Sequence, residues 1–173
     1  MRIIVDAFGG DNAPLEVIKG AAMAVAEYGH TVVLVGREEE IRRVAADKDI
    51  PLTGMEIVDA PDVISMEDEP KSILKEHKDC SMAEGMRQLA AGEGDAFVSA
   101  GSTGALIMGG TFIVKRIKGV SRAALAPLMP SDKGPFMLLD AGANADCRAD
   151  MLLQFGHMGS SYMTKVTKSL NMD

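Results

Sequence analysis

Ala96-Phe97-Val98-Ser99-Ala100-Gly101-Ser102-Thr103-Gly104, followed by the apolar run from Ala105 to Arg116, reads as a short β-strand that ends in a Ser/Gly turn and passes directly into a helix. The N-terminus repeats that grammar. Ile3 to Val5 is a β-branched run that stops at Asp6, and Gly9-Gly10-Asp11 then turns the chain past Pro14 into a helical pattern that continues through Tyr28. Thr31 to Val35 reads as a second buried strand ending at Gly36, and Arg37 to Asp47 as a helix with a charged face. Met55 to Val58 is a third strand. The acidic, proline-bounded loop Pro61 to Pro70 leads to a helix near Lys71 to His77 and another over Ser81 to Ala91.

Beyond Val120, the stretch Ala123 to Met129 is apolar and proline-terminated. Phe136 to Leu139 reads as a further strand that ends in Asp140-Ala141-Gly142-Ala143-Asn144, and the chain from Met151 onward reads as helical. Strands alternating with helices predict an α/β fold with three α/β/α layers: a mostly parallel, doubly wound sheet covered on both faces. With no internal repeat and no linker, residues 1–173 read as one α/β unit. In such sheets ligands bind beyond the carboxyl ends of the strands, where strand order reverses. Three of the strands end in a glycine-containing turn with Asp, Asn, Ser or Thr, and the expectation is that these turns share one edge.

Composition narrows the class of protein. An apolar share of 47% with 25% charged residues is that of a globular chain. Apolar stretches such as Ala105 to Val114 fall well short of the roughly 20 residues of a membrane-spanning helix. The N-terminus lacks a secretory signal, and Cys80 and Cys147 stand at no metal-ligand spacing, so a cytoplasmic protein without disulfide or zinc is expected. The net charge of −7 argues against a nucleic-acid partner.

The turn chemistry suits anions. Ser99, Gly101, Ser102, Thr103 and Gly104 offer backbone N–H groups, hydroxyls and the positive end of a helix, all fitted to phosphate. The plainer reading is a serine or threonine cap with glycines turning the chain. Neither the dinucleotide fingerprint nor the Gly-Lys-Ser/Thr ending of a P-loop is present. Asp6 and Asp11 put two carboxylates around Gly9 and Gly10 at the mouth of the first strand, where a substrate or ion could be gripped; alternatively Asp11 or Asn12 caps the next helix. Asp140 and Asn144 bracket a third turn of the same form, for which a tight loop is the alternative. His30, His77 and His157 read as ordinary surface or helix-end residues, and neither cysteine has an activating neighbour in sequence. Lys115, Arg116, Lys118 and Arg122 form a compact basic cluster, read either as a solvated helix end or as a docking patch for an acidic protein.

Taken in order, Asp6 to Pro14, Ser99 to Leu106, Arg116 to Gly119, Ala124 to Pro127, Leu138 to Asn144 and Gly156 to Ser160 resemble the PlsX family of bacterial phosphate acyltransferases, in register to about Val166. Arg122-Ala123-Ala124 departs from the Arg-Pro-Ala usual there. The resemblance implies a fold similar to phosphate acetyltransferases and isocitrate or isopropylmalate dehydrogenases. It also implies transfer of a fatty acyl group from acyl carrier protein to inorganic phosphate, a homodimer with peripheral membrane association, and no metal or organic cofactor.

On that reading Ser99 to Gly104 cradle phosphate. Asn144 and the Gly9-Gly10 turn position phosphate or thioester, while Asp6, Asp11 and Asp140 orient donors. The basic cluster Lys115, Arg116, Lys118 and Arg122 meets the carrier protein. Family members are about twice as long, so the chain reads as truncated before a second half that carries the rest of the sheet, much of the acyl pocket and dimer surface, and further catalytic residues including a lysine and an asparagine. Two alternatives stay open: a coenzyme A-dependent phosphate acyltransferase, and a non-catalytic phosphate- or carrier-binding fragment.

Overall fold

The computed structural model describes residues 1–169. It divides into two compact units, Met1–Lys115 and a second beginning at Arg116.

The first unit is built on four parallel strands: β1 (Arg2–Asp6), β2 (Thr31–Gly36), β3 (Met55–Asp59) and β4 (Ala96–Val98). Their spatial order is β3-β2-β1-β4. β2 is apolar from Val32 through Val35, and all four side chains are buried, as a parallel strand covered on both faces requires. The pleat sorts them. Val32 and Leu34 join Ile18 and Ala21 of α1 (Leu15–Tyr28) and Ile41 and Ala45 of α2 (Glu38–Asp47) in one core layer. Val33 and Val35 join Ile4 and Ala60 in the other, with Leu89 of α3 (Ser81–Ala91) packed against them. Helices therefore cover both faces, and the three-layer expectation holds.

Each helix has a local cause. α1 stops where Gly29 takes the left-handed conformation (φ 64°) and donates its N–H to Val25. α2 opens on Glu38, Glu39 and Glu40, which favour the positive end of its dipole, and Asp59 at the end of β3 accepts the Glu38 N–H at 3.0 Å. The buried Cys80 caps α3, its Sγ accepting from the Ala83 N–H at 3.4 Å. Burial pushes that thiol's pKa up, outweighing the cap's opposite effect, so Cys80 is a structural residue.

Three expectations within this unit are corrected. The helix near Lys71 to His77 is only a 3-10 turn, Pro70–Leu74; so short a segment forms too few hydrogen bonds to offset the cost of nucleating an α-helix. The helix expected from Ala105 to Arg116 begins earlier as α4 (Thr103–Gly109) and widens into π-helical turns over Gly110–Lys115. The Gly109-Gly110 pair, where no Cβ braces the backbone, sits at the change. His77, expected on a polar surface, is half-buried with Nδ1 2.7 Å from Asp62.

The second unit contains a two-stranded antiparallel sheet, β5 (Leu128–Met129) with β6 (Phe136–Met137), and the long helix α5 (Ala149–Ser169). The strand expected over Phe136 to Leu139 is thus shorter, and it is not a member of the parallel sheet. Only Pro130 to Pro135 separate the two strands, whereas a parallel crossover needs about a dozen residues.

Candidate functional site

Strand order fixes where a site forms. β1, β2 and β3 advance in one direction, while β4 lies on the opposite side of β1, so the connections leaving β1 and β4 diverge at a switch point. A crevice opens there beyond the carboxyl ends of the strands. Two of the three predicted turns emerge at it.

Asp6 ends β1 and is 2% exposed. Its Oδ1 accepts the Ser81 hydroxyl at 2.6 Å and the Phe8 N–H at 3.2 Å, and its Oδ2 accepts the Ser99 hydroxyl at 2.7 Å. The carboxylate is almost fully enclosed by donors, and these bonds tie the β1 turn to the β4 turn and to α3. Ser99 in turn accepts the Gly101 N–H at 3.1 Å. Its hydroxyl proton is committed to Asp6, which leaves Ser99 as a second positioning residue.

The two turns meet at backbone level. A Cβ built on Gly9 would lie 2.7 Å from Asp6 Oδ2, 2.7 Å from Ser99 Oγ and 2.8 Å from the Gly101 nitrogen. Any side chain there would force the turns apart. Gly10 follows at φ 108° with Ala100 alongside. Asp11, expected to orient donors or cap α1, is exposed and makes no side-chain hydrogen bond among the described residues; α1 begins after Pro14 without a side-chain cap.

The donors that remain for a ligand come from the start of α4. Ser102 is buried and accepts the Ala105 N–H at 3.3 Å, the bond of an N-cap, so its own hydroxyl proton is free to point elsewhere. Thr103 and Gly104 lie in the first turn, where backbone N–H groups have no intrahelical partner. Gly104 packs against Pro70, which its Cβ would approach to 2.7 Å. The result is a small set of neutral donors at a helix start, next to a turn that Asp6 holds through Ser99. Such a set binds an anion by hydrogen bonds.

The third turn follows a strand of the other sheet. Asp140 and Asn144 follow β6 in the second unit, so the expected grouping of three turns on one sheet is corrected to two. Asp140 organises its own loop: Oδ1 accepts the N–H groups of Leu125 (2.8 Å) and Ala143 (3.1 Å), and Oδ2 accepts the Asn144 N–H (2.7 Å) and Nδ2 (2.8 Å). Desolvation, the largest single influence, pushes this carboxyl's pKa up. The hydrogen bonds from Asn144, Leu125 and Ala143 together outweigh it and hold the pKa below the usual carboxylate value. Asn144 Nδ2 also donates to the Ala123 carbonyl at 3.0 Å, so its amide is locked with Oδ1 left over. Asn144, Arg122 and Arg148 line one polar cleft of about 440 Å³.

Lys115 ends the first unit, and Arg116, Lys118 and Arg122 open the second; all four are exposed, with Arg116 donating to the Ser121 carbonyl at 2.6 Å. Among the described residues no group of three or more His, Cys, Asp or Glu side chains is placed to hold a metal ion. Sequence reasoning missed Ser81, the buried donor to Asp6 contributed by α3. Seventy-five residues separate the pair, and nothing local to Ser81 marks it beyond the start of a helix.

Comparison with known proteins places these turns in context. The family described as "Fatty acid synthesis protein" matches residues 1–172. The chain belongs to that family. It is 43% identical over 167 residues to a phosphate acyltransferase of Clostridium botulinum (strain Loch Maree / Type A3), covering 96% of this chain and 50% of that protein. It is 44% identical over 172 residues to the phosphate acyltransferase of Caldicellulosiruptor bescii, covering 99% and 52%. The chain thus spans about half the length of these curated relatives. Among solved structures, a phosphotransacetylase from Streptococcus pyogenes superposes with a TM-score of 0.66 at 20% identity, over 90% of this chain and 51% of that one. EutD phosphotransacetylase from Staphylococcus aureus gives 0.65 at 20% identity, over 88% and 49%. At that identity the likeness establishes the fold.

Proposed function

We propose that this chain is the N-terminal half of a phosphate acyltransferase that moves a fatty acyl group from acyl carrier protein to inorganic phosphate. The observation that carries the proposal is the joining of the β1 and β4 turns at the switch point, where Asp6 accepts from Ser99 and the start of α4 leaves Ser102, Thr103 and Gly104 with donors to offer. The curated relatives named phosphate acyltransferase support the same reaction class.

The chemistry needs little more than positioning. An oxygen of the phosphate dianion attacks the thioester carbonyl carbon, the carbonyl oxygen takes up negative charge, and collapse expels the carrier thiolate, which is protonated to the free thiol. Acyl phosphate is the other product. Phosphate is already a nucleophile near neutral pH, so no side-chain nucleophile is required. Alignment of the reactants and donors to the developing charge supply the rate. In this reading Asn144 is a positioning residue for phosphate or thioester, held by Asp140. The exposed Lys115, Arg116, Lys118 and Arg122 steer the acidic carrier protein by long-range attraction. A homodimer in the cytoplasm that touches the membrane peripherally fits the role, and no described helix is long and apolar enough to cross a bilayer.

The test is an assay of acyl phosphate formed from carrier-protein thioester and phosphate, using a chain extended to the length of the relatives. Ser102→Ala combined with Thr103→Val is expected to lower phosphate-dependent transfer on the order of a hundredfold, the scale seen when oxyanion-type donors are removed. Transfer that proceeds at the unsubstituted rate in that variant would contradict the proposal.

A further inference from the structure

The α1 face of the parallel sheet carries an apolar groove that begins at the candidate site. Among the described residues β4 is an edge strand, and the register pairs Val98 with Val5 and Ala96 with Ile3, placing these side chains on the same face as Val32 and Leu34. α1 and α2 cover that face over β1, β2 and β3. Beside β4 the covering layer stops, and Val98 is 51% exposed. The groove left between Ile3, Val5 and Val98 on the sheet and Val17, Gly20 and Ala24 on α1 has a volume of about 300 Å³, within the range of small-molecule sites.

Its direction follows from topology. α1 leaves the carboxyl end of β1 and returns toward the start of β2, so Val17 lies near the site, Ala24 farther along, and His30 at the distant end. Asp6, Ser99 and Ala100 line the near end. The anion turn and the groove are therefore one continuous surface, polar at the switch point and aliphatic away from it.

We propose that this groove holds the alkyl chain of the fatty acyl substrate, with the acyl carbonyl at the Ser99–Gly104 turn and the methylenes running between α1 and β4. The proposal rests on the phosphate acyltransferase reading above. Phosphate bound at that turn must reach the carbonyl carbon to react, so the chain attached to that carbon has to leave the site along a surface that starts there. The groove is the apolar surface that does so in this unit. Its walls offer methyl and methylene groups, and such walls select for alkyl length through the area they remove from water.

Gly20 provides the test, because a Cβ placed there meets nothing within 4 Å. Leucine at this position fills the groove, and leucine is a better helix former than glycine, so Gly20→Leu should keep α1 folded. The probe is a palmitate analogue carrying a diazirine at the chain end, photolysed with the 173-residue chain and mapped by mass spectrometry. Labelling is expected on the groove walls near Val17, Ala24 and Val98. Gly20→Leu is expected to weaken probe affinity about tenfold, the effect of keeping roughly two methylenes in water. Ala26→Leu, at an exposed position outside the groove, should leave it unchanged.

Equal affinity in the Gly20→Leu variant would overturn the proposal. So would labelling confined to a groove of the second unit that is lined by Phe155 and Met163. If labelling of the 173-residue chain vanished in a chain extended to the relatives' length, a polypeptide segment would be the occupant and the proposal would fall. Phosphate titration of the Thr103 and Gly104 amides separates the two claims. A phosphate response without probe binding sinks the groove alone, and no phosphate response sinks the reading beneath it.

Discussion

Asp6 shows how one buried side chain can tie distant turns together. Three donors from three separate stretches converge on it: the Phe8 amide and the Ser81 and Ser99 hydroxyls. Asp6→Ala removes all three bonds and leaves two hydroxyls without an acceptor. The expected loss is on the order of 3 kcal/mol, from bonds to a charged acceptor, read as a lowered midpoint in urea unfolding at unchanged slope. A loss below about 0.5 kcal/mol, typical of surface changes, would show that the network does not hold the turns. Asp6 itself was legible in the sequence, because an acidic residue ending a strand before Gly9-Gly10 already pointed to the strand mouth. Its role was not. Chain order carries no sign that Ser81 and Ser99 both reach the same carboxylate, and the sequence reading therefore gave Ser99 to phosphate. The bond that spends its proton on Asp6 is a fact of tertiary structure.

At the scale of elements, the parallel strands and the helices over residues 15–28 and 81–91 were legible because hydrophobic period, glycine stops and polar flanks all agree there. Agreement failed in the second unit. Phe136 to Leu139 has the composition of a strand, but its partner and direction depend on the short connection from Met129, and the Asp140 loop went with it to a different sheet. That loop makes its own prediction. The Asp140 carboxyl is held below its ordinary value of 3.8 in the folded chain, so its hydrogen bonds contribute stability above the unfolded value, and that contribution is lost as pH falls through the folded one. The Asp140 carboxyl carbon should titrate with a midpoint below 3.8, and the Asn144 side-chain amide should shift with the same midpoint as its acceptor protonates. Carboxyl titration at or above the ordinary value, with the Asn144 amide unmoved, would mean that the loop is not organised by Asp140.

Over the whole molecule, the parallel sheet order β3-β2-β1-β4 decides where chemistry can occur. Reversal between β1 and β4 brings residues 6–10 beside residues 99–104, and the same reversal leaves β4 at an edge with an apolar groove running from the site. The curated relatives are about twice the length of this chain, so the proposed acyl transfer is put to the test in the extended form and the proposed anion binding in the turns described. Anion binding at those turns is read from a phosphate titration of the 173-residue chain followed by its backbone amide resonances. Saturable shifts concentrated at Gly9, Gly10, Gly101, Thr103 and Gly104, diminished by Ser102→Ala, are the expected result. Shifts confined to Arg122, Asn144 and Arg148, with the glycine turns unmoved, would contradict it.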